Sequence, residues 1–280
     1  MPVIDDELRP MPTSSPVKAT ALRAGTVSSV DECVAEEVAV ALEVNGIAHA
    51  VMLATPADLE DFALGFLLSE GLIDKPADLL GVDVVPVDAG IALRAEVVQR
   101  CLHRLKERRR SLAGRTGCGL CGTESIDEAI RPVRRGASVV AVDAETLARG
   151  MRSLAGGQTL QRATGATHAA AWITLAGDLH TAREDVGRHN ALDKLIGAMA
   201  RQGFDPASGF VAVTSRASYE MVHKAASAGV GLLAAISAPT GLAIRMADEA
   251  GLALVGFARG DKATIYTHPD RVIGPTPTPP

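Results

Sequence analysis

The pattern of apolar and polar positions divides the chain into two halves of different character. In the first, Cys33 to Val44 and Ile47 to Ala54 are strand-like runs separated by Asn45-Gly46. Both turn residues tolerate positive φ, which makes this a strong hairpin signal. Thr55 is placed to cap a following helix, Pro56 suits its first turn, and Asp58 completes a box-like start. Leu59, Phe62, Ala63, Phe66 and Leu67 then recur on one helical face, and Gly71 is a natural stop. Two further strands, Leu79 to Val87 and Gly90 to Val97, complete a small α+β unit predicted over residues 20–97.

The second half alternates. Asp143 is a candidate N-cap for a helix. Strand-like runs occur at Ala169 to Leu175, Phe210 to Val213, Gly231 to Ile236 and Leu252 to Phe257. Helical stretches at Ala191 to Ala200, Tyr219 to Ala228 and Gly241 to Ala250 separate the last of them. This order predicts an α/β domain over 143–273, built on a mostly parallel, layered sheet. The fold class expected for the whole chain is therefore α/β. Between the halves, residues 98–142 form a connector. It opens with a basic helix, Gln99 to Arg110, and continues into Gly-rich polar sequence. The Pro-rich ends, residues 1–19 and 274–280, read as disordered tails.

Composition sharpens this picture. Hydrophobic residues make up 47% of the chain but aromatics only 3%, so the core must be built from Ala, Val, Leu and Ile. With 27 glycines, that suits close-packed α/β layers. The net charge of -5 argues against a general nucleic-acid binder. The longest apolar stretch, Ala228 to Ile244, is broken by Ser237, Pro239 and Thr240, so no membrane span is expected. The start of the chain is acidic and has no apolar signal core. Four cysteines, two of them isolated, do not make a secreted disulfide framework. A reducing cytoplasm is the expected location.

The chemistry concentrates in two places. The first is Gly117-Cys118-Gly119-Leu120-Cys121-Gly122. A thiolate is the nucleophile, and nearby cations lower a thiol's pKa. Arg115 and the basic helix supply such cations close in sequence. Glycines flanking both cysteines let a partner approach the backbone. Four readings stand side by side: an incidental surface CxxC, a zinc site, a dithiol redox pair and a persulfide carrier. Zinc lacks a second ligand pair. A thioredoxin-like pair belongs between a strand and a helix of a βαβ unit. The flexible loop suits a persulfide carrier best, but CxxC alone does not decide.

The second place is the α/β half, where the carboxyl ends of strands are the usual ligand site. Arg183-Glu184-Asp185-Val186-Gly187-Arg188-His189-Asn190 precedes a helix that Asn190 is placed to cap. Its polar density, with Asp193 and Lys194 following, suits anion or ring-nitrogen recognition at a helix N-terminus. Thr214-Ser215-Arg216, with Lys224 two turns on, offers hydroxyls and cations for phosphate. Ser237-Ala238-Pro239-Thr240 and Ala258-Arg259-Gly260-Asp261 follow two more strands. No histidine is followed two positions later by glutamate, and Gly117 precedes Cys118, so the zinc-deaminase signature is missing.

Taken in order, these motifs resemble one family, the formate dehydrogenase accessory sulfurtransferases, which are sulfur carrier proteins for molybdenum cofactor. The resemblance rests on residues 114–122, 183–194, 215–224, 237–240 and 256–261 and spans roughly 20–270. It implies that Cys118 accepts sulfur from a cysteine desulfurase as a persulfide, with Cys121 as the second cysteine of the pair. It implies delivery to the molybdenum (or tungsten) bis(molybdopterin guanine dinucleotide) cofactor, bound as client, before insertion into formate dehydrogenase. The stretch Phe257, Ala258, Arg259, Gly260, Asp261 and Lys262 matches the family's cofactor-binding segment. The second domain is expected to resemble the cytidine-deaminase fold without its zinc, with no intrinsic metal, and the protein to be a homodimer. Within that frame, Arg259, Lys262, Ser215, Arg216 and Lys224 are candidates for the cofactor's phosphates. Asp185 or Asp193 is a candidate reader of the guanine edge, with Arg188 and His189 beside them. A dithiol oxidoreductase and a cofactor chaperone that moves no sulfur are the rival functions.

Overall fold

A computed structural model describes residues 11–102, 133 and 136–273. The first unit is a four-stranded sheet of β3 (Val38–Val44), β4 (Ile47–Ala54), β5 (Leu79–Val87) and β6 (Gly90–Val97), in the order β4-β3-β6-β5. The two hairpins are antiparallel, and β3 and β6 join them in parallel. Alternate residues of each strand, Val40, Leu42, Met52, Ala54, Ile91 and Leu93 among them, face helix α1 (Leu59–Ser69).

The second unit is a six-stranded mixed sheet in the order β13-β12-β11-β10-β8-β9. Its strands are β8 (His168–Thr174), β9 (Leu179–Asp185), β10 (Gly209–Val213), β11 (Leu232–Ala235), β12 (Ala253–Arg259) and β13 (Lys262–Ile265). Only β10, β11 and β12 are mutually parallel neighbours. They are buried on both faces and therefore read as unbroken apolar runs. Helices α4 (Arg188–Gln202), α5 (Tyr219–Ser227) and α6 (Gly241–Ala250) cover one face. Helix α2 (Ala144–Gly157) covers the other, capped by Asp143, which accepts from the Thr146 amide at 2.6 Å. A short helix, α3 (Thr159–Thr164), follows it.

Several expectations need correction. The sheet is mixed because β8-β9 is an antiparallel hairpin and β13 folds back on β12. Both β9 and β13 are polar edge strands, without the apolar run that marks the others. The presumed N-terminal tail contains β1 (Ser14–Arg23), paired with β2 (Thr26–Ala35) over ten residue pairs. A free ribbon has no core face, so it shows no hydrophobic alternation despite being regular. The second unit begins before residue 143. Val140 and Val142 lie in its core, and β7 (Val142–Asp143) pairs with β14 (Val272–Ile273). Thr55 does not cap α1. Asp58 holds that place in a left-handed conformation, with no side-chain cap bond.

The two units meet at α1 and α4, which cross at backbone contact. A methyl group on Gly65 would lie 1.7 Å from the Asp193 carbonyl oxygen, and one on Gly197 would lie 1.9 Å from the Asp61 carbonyl oxygen. Gly65→Ala or Gly197→Ala must therefore push the helices apart. Each is expected to cost at least ~2 kcal/mol, as overpacking does. Gly156→Ala, on α2 with open space around it, is the control and should be neutral or stabilising. Thermal unfolding of the three variants checks this.

Candidate functional site

Strands β9, β10, β11 and β12 run in the same direction, so their carboxyl ends share one edge. The loops leaving that edge are tied together. Ala217 donates to the Ala238 carbonyl at 3.2 Å and receives from the Thr240 amide at 3.1 Å. Phe257 donates to the Ser237 carbonyl at 3.2 Å, and Arg259 Nε donates to the Ile236 carbonyl at 3.1 Å. Cross-bracing of this kind makes a fixed rim. On it, Arg216, Phe257, Arg259, Asp261 and Lys262 are exposed.

Phe257 is a local outlier. It adopts φ 51°, an uncommon region for a bulky side chain, at a bulge between Gly256 and Arg259. The residue is 48% exposed there. Gly260, at φ 59°, makes the turn into β13. Two residues of the predicted set face inward. Ala258 packs in the core under α2, and the Ser215 hydroxyl is buried and donates to the Arg216 carbonyl at 3.0 Å.

Arg188 and His189 stand in the first turn of α4, at the same edge. Gly187 is the N-cap, and no side chain caps the helix. Asn190 instead donates to the Leu53 carbonyl at 2.8 Å and to Asp185 at 3.0 Å. Arg188 Nε and His189 Nε2 are buried atoms without a hydrogen-bond partner among the described residues. Burial, with Arg188 and Lys224 nearby, lowers the His189 pKa to about 4, so the ring is neutral at pH 7. Glu220, at the start of α5, opposes this weakly and is itself held below its ordinary range by Ser218 and its own backbone amide, against burial.

The remaining predicted residues are not on the rim. Asp185 and Lys194 are fully buried and paired at 2.7 Å. Asp185 also accepts from the backbone amides of Thr55 at 3.0 Å and Gly187 at 2.7 Å. Lys194 donates to the Thr55 carbonyl at 2.9 Å. Asp193 accepts from Lys224 at 2.9 Å and from Ser69 at 2.6 Å, and Lys224 also reaches Glu70 at 3.0 Å. Burial works against the charge of Lys224, but Asp193 and Glu70 outweigh it and raise its pKa. A third cluster joins Arg183 to Asp61 at 2.7 Å and Arg201 to Asp61 and Glu60. All three bind α1 and its approach to the second unit. Asp185, Asp193 and Lys224 thus spend their hydrogen-bonding capacity within the chain. This geometry speaks against their reading guanine or meeting phosphate, because a ligand would first have to break buried ion pairs.

Nothing in the local sequence of Thr55, Ser69 and Glu70 points to partners across the chain. Cys118 and Cys121 lie outside the described residues. Among the described residues, no group of three or more His, Cys, Asp or Glu side chains could hold a metal ion, and no helix is long and apolar enough to cross a membrane.

Two measurements test these assignments. Lys194→Met strands the buried Asp185 carboxylate and should cost about 3–5 kcal/mol in denaturant unfolding. The second concerns His189, whose folded pKa lies below its unfolded value of 6.5. The unfolded chain therefore takes up the proton first as pH falls, and stability is lost between pH 6.5 and 4. His189→Gln should remove that part of the slope, roughly 3 kcal/mol by pH 4. Equal slopes in variant and parent would refute the assignment.

Comparison with known proteins agrees with the motifs. The FdhD/NarQ family model matches residues 35–273. A "Sulfur carrier protein FdhD" of Bordetella petrii is 55% identical over 253 residues, covering 90% of this chain and 91% of that protein. Proteins of the same name from Variovorax paradoxus and Cupriavidus necator are 57% and 53% identical, covering 86% and 93% of this chain and 87% and 91% of their own. The crystal structure of a formate dehydrogenase accessory protein from Desulfotalea psychrophila superposes with a TM-score of 0.76 at 24% identity, covering 94% of this chain and all of that one, and has the same fold. The chain belongs to the FdhD/NarQ family.

Proposed function

We propose that this protein is a sulfur carrier in formate dehydrogenase maturation. Membership of the FdhD/NarQ family over residues 35–273, with relatives named as sulfur carriers at 53–57% identity, carries this reading. Its finer form assigns the sulfur to Cys118. The Cys118 thiolate attacks the outer sulfur of a cysteine desulfurase persulfide. A new S–S bond forms, the donor's S–S bond breaks, and the desulfurase cysteine leaves as a thiolate. Cys118 then carries the persulfide, with Cys121 beside it in sequence. The acceptor is the molybdenum or tungsten bis(molybdopterin guanine dinucleotide) cofactor destined for formate dehydrogenase, and the protein works as a homodimer in the cytoplasm.

The rim supports this reading physically. Arg216, Arg259 and Lys262 are exposed cations at the carboxyl edge, suited to a polyanionic client. Phe257 offers an aromatic face among them. Arg188 and His189 add buried polar atoms in need of partners, the neutral ring offering a nitrogen as either donor or acceptor.

The test is incubation with a cysteine desulfurase, cysteine and pyridoxal phosphate, followed by intact mass and peptide mapping without reductant. One added sulfur on Cys118, absent in Cys118→Ala, is the expected result. An unmodified protein that still binds cofactor would favour a chaperone. A reversible Cys118–Cys121 disulfide without added sulfur would favour a redox role.

A further inference from the structure

Helices α4 and α5 pack against each other and begin at the same carboxyl edge. Their starts differ from that of α6, whose N-cap Thr240 accepts from the Ala243 amide at 3.3 Å. Neither Gly187, before α4, nor Ser218, before α5, caps its helix through a side chain. Ser218 is only 5% exposed. Its hydroxyl joins Arg188 Nε and His189 Nε2 as buried atoms with no hydrogen-bond partner among the described residues. Unsatisfied buried polar atoms thus gather at two adjoining helix starts. Each carries a desolvation cost that a bound group would offset.

Glu220, in the first turn of α5, is half-buried and within electrostatic reach of Arg188 and His189. Burial opposes its charge, but Ser218, its own backbone amide and Arg188 favour the carboxylate and prevail. Ser218 does this without a hydrogen bond of normal geometry, so its hydroxyl is still open to a ligand. A phosphate is poorly matched to this place. Lys224 is already spent on Asp193 and Glu70, so carboxylates outnumber cations here. What the two helix starts offer is mixed: acceptor oxygens on Glu220, donors on Arg188 and the neutral His189 ring, and a hydroxyl on Ser218.

That mixture matches a purine edge. Guanine presents, in order, its amino group, ring N1–H, O6 and N7: donors at one end, acceptors at the other. Adenine has an acceptor at N1 and a donor at N6, which reverses the middle of the pattern. We infer that Glu220 accepts from the amino group and N1–H of a guanine, while Arg188 and His189 donate to its O6 and N7. Asp261 stands on the same rim but is exposed, so water competes for whatever it accepts. Asp185 and Asp193 are spent within the chain. The exposed cations Arg216, Arg259 and Lys262 are left for the phosphates. The inference rests on the guanine dinucleotide client proposed above and names the residues that select its base.

Isothermal titration calorimetry of the full chain with GDP, inosine diphosphate and ADP tests it. Inosine diphosphate lacks only the amino group of GDP. The parent should bind GDP about tenfold more tightly than either of the others. Glu220→Gln should weaken GDP about tenfold and inosine diphosphate less, so the ratio between them falls toward one. Glu220→Asp, which draws the carboxylate back by one methylene, should lower the same ratio and keeps the test decisive if Glu220→Gln does not fold. Lys262→Gln, at the phosphate end, should weaken all three nucleotides alike. Equal binding of the three by the parent, or an unchanged ratio in the Glu220 variants, would overturn the inference and leave the client in place. A parent that binds none of them would overturn the guanine dinucleotide client as well. Persulfide formation at Cys118 is read separately by mass and depends on neither result.

Discussion

The backbone contact between α1 and α4 is the constraint on which the other features depend. Two glycines, Gly65 and Gly197, let the helices approach until each meets the other's carbonyl oxygen. Asp61, Asp193 and Lys194, beside the crossing, are buried there. Any charge there must find its partner within the chain. The sequence supplies those partners from both sides. Thr55 offers an amide to Asp185 and a carbonyl to Lys194, and Ser69 and Glu70 meet the Asp193–Lys224 pair. The first unit is thereby held against the second at three separate polar points.

Buried ion pairs are poor sources of net stability, because desolvation offsets most of their attraction. Their effect here is better understood as register. The glycine contacts and the ion pairs specify the same register, and Lys194 ties it to one position. Displacing it from Asp185 and the Thr55 carbonyl leaves a full charge unpaired in the interior. The same register fixes the start of α4. Asp185 ends β9 and binds the Gly187 amide and Asn190, so it sets the turn from which Arg188 and His189 project. The buried network therefore acts on the rim through position.

Most of the elements were legible because their patterns are local. Strands β4, β5 and β6 and helices α5 and α6 follow from apolar periodicity and turn residues, with ends matching to within a residue. What was not legible depends on the rest of the fold. β9 and β13 lie at sheet edges, where polar sequence is compatible with a strand. The ribbon has no buried face to impose alternation. The same limit explains the site residues. Asp185 and Asp193 sit in or beside a densely polar motif and Lys224 follows another, and polar density reads as ligand contact. Density alone does not distinguish a charge facing solvent from one facing another part of the chain, and Thr55 lies 130 residues from Asp185.

This separates the charged residues of the second unit into two sets with opposite demands. Asp185, Asp193, Lys194 and Lys224 are satisfied and buried, and any movement of them is costly. Arg216, Arg259 and Lys262 are exposed, and among the described residues only Arg259 is held, by one bond to a carbonyl. The large, polyanionic client proposed above would need the second kind. Exposed cations meet phosphates without first giving up a partner, and they return to water when the client leaves. A carrier must release what it binds. Strong, buried, pre-paired charges would serve tight retention, whereas a braced rim of hydrated cations suits transient binding. The unpartnered atoms of Arg188 and His189 lie between these extremes: buried like the first set and unsatisfied like neither. They are the places where a bound group would gain most in discrimination, because a ligand that failed to reach them would leave their desolvation uncompensated.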